Sequence, residues 1–177
     1  IWFDSKRGYQ KMNKENKLVP GLPSGFEDRW NNKLLLKKKL LKAIENNFIK
    51  FGAEALETPS FEISENIGSF LAEDEANPMS DVFSFQDGEK SITLRYDLSS
   101  PLARFVAQNN QELPSIFKRY QIQNVFRNEK AGNGRYREFM QADFDIVGNV
   151  DPAQANAELC NLISSTLLDC GLNRDQF

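Results

Sequence analysis

Apolar residues recur with a helical period between residues 30 and 51, where Leu34, Leu41, Ile44, Phe48 and Phe51 share one face. Lys37, Lys38, Lys39 and Lys42 cover the remainder, and Gly52 supplies the left-handed residue on which helices commonly stop. A lysine run can grip nucleic acid, but a solvated helix face is the simpler reading. A short strand is expected at 53–57, ended by Pro59, and the acidic stretch 64–80 reads as a surface excursion. Residues 20–28, rich in proline and glycine, read as an ordered turn segment.

Residues 82–86 and 91–97 alternate with period two around Asp87-Gly88, a strong turn pair, and predict a hairpin. A helix is expected from Ser100 to about Asn110, with Pro101 at its first position, where a missing N–H costs nothing. Two longer strands follow, 116–127 and Glu138–Gly148, joined by a loop at 128–137. The last helix spans 151–170: Asp151 caps it, Pro152 takes the first position and Gln154 completes a capping box. Its expected apolar face is Leu159, Ile163, Thr166, Leu167 and Cys170, and Gly171 ends it. Strands clustered between helices with hairpin connections indicate an α+β fold, an antiparallel sheet flanked by helices. Residues 1–17 read as an N-terminal extension. Met12 fits an initiator preceded by non-native residues, and 1–11 fit a frayed terminus equally well.

The strand Glu138–Gly148 turns Met140, Ala142, Phe144 and Ile146 one way and Gln141, Asp143 and Asp145 the other. A wet sheet face is the bland reading of the second set. Aspartate is depleted from strands, however, and two of them on one face repel, so they are expected to await a cation. On the preceding strand Gln121, Gln123, Val125 and Arg127 share a face, with Tyr120, Ile122 and Phe126 opposite. Between residues 117 and 137 stand six basic residues (Lys118, Arg119, Arg127, Lys130, Arg135, Arg137) against one acid, Glu129. The balance is +5 in a chain of net charge −3.

A positive loop beside an acidic strand floor predicts a bipolar cleft. Its arginine end suits phosphate and its carboxylate end suits an ammonium or a ring N–H. Gly132 and Gly134 leave the loop free to approach a large ligand. In 92–97, Ile92, Leu94 and Tyr96 are expected to face the core, with Thr93, Arg95 and Asp97 on the polar side. Asp97, at a strand end before a helix, serves either as a ligand-binding acid or as a helix cap.

With no histidine in the chain, serine–histidine and cysteine–histidine hydrolases, HExxH zinc enzymes and His-ligated metal sites are excluded, and no protein metal site is expected. Cys160 and Cys170 lie in one predicted helix and sit poorly for a disulfide, which suits a reducing cytoplasm. The longest apolar runs are three residues, as in 34–36, so no membrane span fits. No charged-then-apolar leader opens the chain, so a cytoplasmic protein is expected.

Three runs, in order, carry a resemblance: Leu94-Arg95-Tyr96-Asp97-Leu98-Ser99; Phe117-Lys118-Arg119-Tyr120-Gln121; and Phe126-Arg127-Asn128-Glu129 followed by Gly134-Arg135-Tyr136-Arg137-Glu138-Phe139-Met140-Gln141. The set resembles the class II aminoacyl-tRNA synthetases, with the third run as their motif 2, and among them the histidyl-tRNA synthetases. Segment 34–59, ending in Glu57-Thr58-Pro59, resembles motif 1, which in that family builds the homodimer interface. The resemblance covers residues 18–177 and implies part of a class II catalytic core.

It also implies a two-step ligation. Histidine attacks the α-phosphate of ATP, which enters as substrate with Mg2+, giving histidyl-adenylate and pyrophosphate; the histidyl group then passes to the terminal ribose of tRNA(His). No covalent protein nucleophile takes part, so positioning and charge neutralisation supply the rate. Carried over by position, the resemblance makes Arg127 the catalytic residue, holding the α-phosphate and the substrate carboxylate region. Glu129 would orient the adenine end, Phe139 would stack on adenine and Arg135 would reach the polyphosphate. Asp97, Ser99 and Gln141 would hold the histidine ammonium, and Asp145 would accept the imidazole N–H. Asp143 receives no role. Ser99 stands where the family has threonine and keeps the hydroxyl.

The family's histidine-specific tyrosine-pair segment, motif 3 and anticodon-binding domain are not found in the 177 residues. The chain is therefore expected to be a front portion of the catalytic domain, inactive by itself. Two rivals remain. One is the regulatory subunit of ATP phosphoribosyltransferase, a synthetase paralogue that binds histidine without charging tRNA; the complete set Arg127, Glu129, Arg135 and Phe139 favours the ligase over it. The other is a dimerising or tRNA-binding module whose basic loop meets acceptor-stem phosphates.

Overall fold

A computed structural model describes residues 19–71 and 82–177. The expectations for the N-terminal extension, and for the excursion beyond residue 71, lie outside them. Among the described residues the order is helix α1 (Asn31–Lys50), strands β1 (Glu54–Ala55) and β2 (Phe61–Ile63), helix α2 (Ser64–Leu71), strands β3 (Ser84–Asp87) and β4 (Lys90–Leu94), helix α3 (Ser99–Asn109), strands β5 (Ile116–Phe126) and β6 (Glu138–Gly148), and helix α4 (Pro152–Asp169). The strands form two sheets, ordered β1-β5-β6 and β2-β4-β3, in the expected α+β arrangement. All pairings are antiparallel except β1, which runs parallel to β5 through Glu54 and Ala55.

The stripe on α1 faces inward as its spacing requires. Phe48 is buried, Ile44 and Phe51 are partly so, and they pack with Ala53, Tyr120, Ile122, Phe144, Leu159 and Leu162. The Phe48 ring lies 5.7 Å from Tyr120 and 5.6 Å from Phe144, within the range for favourable tilted aromatic pairs. One face of the β5-β6 ribbon thus rests on α1 and α4, and the other is left for polar residues.

Several local expectations shift. Residues 64–71 are helical rather than an irregular excursion: α2 buries Ile67, and Ser64 Oγ lies 2.9 Å from Ser91 Oγ. β2, which begins two residues after Pro59, pairs with β4 and is not among the expected strands. Pro101 occupies the third position of α3, which starts at Ser99. On α4 Leu162 is the buried centre, whereas Ile163 is 57% exposed at the lip of an open apolar groove. Asp151 caps α4 by accepting from the Ala153 N–H, but Gln154 makes no reciprocal bond among the described residues.

The facing of β4 is reversed: Thr93 and Arg95 are buried, while Ile92, Leu94 and Tyr96 are half-buried. The buried polar groups find partners across the fold. Arg95 Nε donates to Asn124 O at 2.7 Å, and Nη1 donates to Thr58 O at 2.7 Å and Gln123 Oε1 at 2.9 Å. Its backbone N–H donates to Ser60 O, and its carbonyl accepts from Phe126 N–H. Arg95 therefore clips the two sheets together beneath the polar face of β5.

Candidate functional site

The β5-β6 register sets the site. Gln123 lies opposite Gln141, Gln121 opposite Asp143 and Arg119 opposite Asp145. These six share the face turned away from α1 and α4, because residues of one parity on paired strands project together. Gln121 and Gln123 are locked into the scaffold. Gln121 Nε2 donates to Thr58 Oγ1 at 2.8 Å and to Gln123 Oε1 at 2.6 Å, and that oxygen also accepts from Thr58 N–H at 3.1 Å.

The acidic end gathers Asp97, Asp143 and Asp145 around one cation, Arg119. Arg119 is fully buried, with Nη2 2.7 Å from Asp145 Oδ2. It also donates to Leu98 O at 3.2 Å and Gln121 Oε1 at 3.3 Å. Burial presses the Arg119 guanidinium below its ordinary value, against the pull of Asp145, Asp143 and Asp97. Burial likewise raises the Asp143 carboxyl, the charges of Asp145 and Asp97 adding to the effect, while the Gln141 amide and Arg119 oppose it. Gln141 Nε2 donates to Asp143 at 3.2 Å, and Gln141 Oε1 is buried without a hydrogen-bond partner among the described residues. Asp97 Oδ1 accepts from Ser100 N–H at 3.0 Å at the start of α3, as a helix-entry residue would, and this bond leaves its ligand role open. Ser99 sits exposed beside it, next to the Leu98 carbonyl held by Arg119.

The arginine end lies further along the same ribbon. Arg127, Glu129, Gly134, Arg135, Tyr136 and Phe139 line a pocket of about 290 Å³. The Arg127 guanidinium is stacked between the rings of Tyr96, at 4.4 Å, and Phe139, at 5.0 Å. Such stacking holds a cation in place while leaving its donor edge available. Glu129 pairs with Arg135 and accepts from Tyr96 Oη at 3.3 Å. The loop closes in a tight turn, Gly132 and Arg135 exchanging backbone bonds, with Gly134 at φ +74°. All four residues assigned to ATP thus line one pocket.

Two expectations need correction. The six basic residues do not form one patch, because strand alternation sends Lys118 to the helix-covered face, where it pairs with Glu158 on α4. Arg119 is buried, and Arg137 packs over Phe83 with its Cζ 4.6 Å from the ring centroid. That leaves Arg127, Arg135 and the exposed loop Lys130, of which Arg127 and Arg135 line the pocket. Second, the paired aspartates are not without a cation of the chain's own: Arg119 from the neighbouring strand lies against Asp145, one guanidinium among three carboxylates. The sequence reading gives Arg119 no role of its own, although its parity with Gln121 and Gln123 places it on the site face. Tyr96, assigned to the core, instead helps to hold both Arg127 and Glu129.

Comparison with known proteins fits this geometry. The family model described as histidyl-tRNA synthetase matches residues 25–176. The chain is 80% identical over 166 residues to the histidine–tRNA ligase of Pelagibacter ubique (strain HTCC1062), covering 94% of this chain and 36% of that protein. It is 45% identical over 157 residues to the histidine–tRNA ligase of Methylocella silvestris, covering 88% and 31%. The chain spans about a third of the length of these curated relatives. Among solved structures, histidyl-tRNA synthetase from Nostoc sp. PCC 7120 superposes with a TM-score of 0.71 at 27% identity, over 83% of this chain and 33% of that one. An ATP phosphoribosyltransferase regulatory subunit/histidyl-tRNA synthetase from Bacillus halodurans C gives 0.76 at 24% identity, over 90% and 40%, a likeness of fold alone.

Proposed function

Because the chain belongs to the histidyl-tRNA synthetase family, we propose that the protein it forms part of is a histidine–tRNA ligase, which activates histidine with ATP and passes it to tRNA(His). What supports this most is one sheet face carrying both an arginine-lined pocket and an acidic cluster. ATP lies with its phosphates toward Arg127 and Arg135 and its adenine toward Glu129 and Phe139. Arg127 is the catalytic residue: a guanidinium stacked between two rings meets the charge that develops on the α-phosphate at little reorganisation cost.

Histidine lies over the acidic end. Its ammonium meets Asp97, the Ser99 hydroxyl and the unpartnered Gln141 Oε1, and its ring N–H donates to Asp145. Three carboxylates around one arginine leave a local negative balance that an ammonium offsets. Mg2+ enters on the phosphates of ATP; among the described residues no group of three or more His, Cys, Asp or Glu is placed to hold a metal. The protein works in the cytoplasm as a homodimer joined through 34–59, and the exposed Trp30, Leu35, Leu36 and Leu40 on and beside α1 support that interface. Among the described residues no helix is long and apolar enough to cross a membrane.

A regulatory subunit of ATP phosphoribosyltransferase is less favoured. The relatives at 80% and 45% identity carry the ligase name, and the regulatory-subunit name attaches to a neighbour at 24%. The test is histidine-dependent exchange of pyrophosphate into ATP by the full-length protein. Exchange is expected; histidine binding without exchange overturns the ligase reading.

A further inference from the structure

The geometry points to Arg119 as a positioning residue for histidine recognition: from beneath the cleft it fixes Asp145 and the start of α3 as one unit, so that the imidazole and ammonium subsites keep their spacing. This rests on the reading of the acidic end as the histidine site. Arg119 reaches three elements at once. Its Nη2 lies 2.7 Å from Asp145 Oδ2 on β6 and donates at 3.2 Å to the carbonyl of Leu98, and Nη1 donates at 3.3 Å to Gln121 Oε1 on β5. Leu98 stands between Asp97 and Ser99, so one guanidinium spans both halves of the proposed subsite.

The state of Asp145 supports a division of labour within its carboxylate. The side chain is 35% exposed, yet Oδ2 is buried against Arg119. The exposure therefore belongs to the remainder of the group, leaving Oδ1 as the acceptor for a ring N–H. The Arg119–Asp145 contact is an ion pair without an aligned hydrogen bond, and Arg119 Nε is also buried without a partner among the described residues. Stability alone is a poor reason to keep such an arginine. A desolvated guanidinium gives up much of its hydration, and apolar residues of similar size often replace buried pairs at no loss. Its permanent charge does what an apolar residue cannot: it holds the Asp145 carboxylate in one orientation beside Asp143 and Asp97.

The test compares Arg119→Met, Arg119→Lys, Asp145→Asn and the Met/Asn double variant in the full-length protein. Three readouts are taken: equilibrium binding of histidine alone, the histidine and ATP KM values in pyrophosphate exchange, and thermal unfolding. Arg119→Met is expected to weaken histidine binding at least about tenfold, the equivalent of one charge-assisted hydrogen bond, with the ATP KM within about twofold. Arg119→Lys recovers part of the loss, and the losses in the double variant are less than additive, because part of the arginine's effect passes through Asp145. Three results overturn the proposal: unchanged histidine binding in Arg119→Met, additive losses in the double variant, or equal losses for histidine and ATP in step with the unfolding midpoint. Histidine binding that depends on Arg119 in a protein without exchange upholds the positioning role and removes only the ligase reading. A wild-type protein that binds no histidine removes both.

Discussion

Replacing Arg95 with methionine tests whether the fold beneath the site is held by the clip. Methionine keeps much of the side-chain bulk and removes every donor. The arginine makes three bonds of 2.9 Å or less, to Asn124 O, Thr58 O and Gln123 Oε1. Hydrogen bonds from a charged group contribute about 1.5–3 kcal/mol each, so the gross loss is roughly 5–9 kcal/mol. Against it stands the hydration that a buried guanidinium gives up, several kcal/mol, which methionine does not. Burial lowers the Arg95 guanidinium from its ordinary value, and the charges of Glu57 and Glu62 only partly restore it. The difference is a net destabilisation of about 2–4 kcal/mol.

The loss should be local, because Arg95 joins Ser60 and Phe126 through its own backbone. Hydrogen exchange followed by mass spectrometry reads it directly in peptides spanning 58–63 and 123–127. A 2–4 kcal/mol loss there corresponds to roughly 30- to 900-fold faster exchange. Exchange within about threefold of wild type in both peptides would refute the reasoning, since the carbonyls would then have lost nothing.

Gly148→Ala places a Cβ 2.1 Å from Ser115 O at a φ of +133°, so a loss of at least about 2 kcal/mol is expected, and an unchanged melting temperature contradicts it. Asp97→Ala removes the α3 cap and costs about 1 kcal/mol, whereas Asp97→Asn keeps the cap; both raise the histidine KM. Retained histidine affinity in a stable Asn variant would leave Asp97 with the cap alone. The Asp143 carboxyl, raised in the fold, binds its proton more tightly there than in the unfolded chain. Its contribution is therefore present below the unfolded pKa of about 4 and lost as pH rises through the raised value. Asp143→Asn should be neutral in acid and stabilising at neutral pH; a variant less stable at neutral pH than in acid, relative to wild type, argues against it.

How far the sequence could be read depended on the range of the interactions involved. The α1 stripe, the Asp151 cap and the parity of β5 and β6 are local patterns, and each stands in the structure as its spacing requires. Parity alone put Gln141, Asp143 and Asp145 on one face. The partner of Asp145 was hidden because Arg119 meets it only through a register joining residues 26 apart in sequence. β4 misled for the same reason: Thr93 and Arg95 are polar, but backbone and side-chain oxygens from distant segments satisfy them in the interior. Summing charge over 117–137 ignored alternation, which places Lys118 with Tyr120 on the covered face. β2 is only three residues long and carries no periodic signal of its own.

The central claim is that one sheet face divides the chemistry, with Arg127 serving the phosphates and Asp145 the imidazole. The most direct test measures pyrophosphate exchange and equilibrium histidine binding in the full-length protein bearing Arg127→Ala or Asp145→Ala. Arg127→Ala should abolish exchange while histidine still binds, and Asp145→Ala should weaken histidine binding at least about tenfold while the ATP KM holds within about twofold. Equal loss of ATP and histidine binding in both variants would contradict the division.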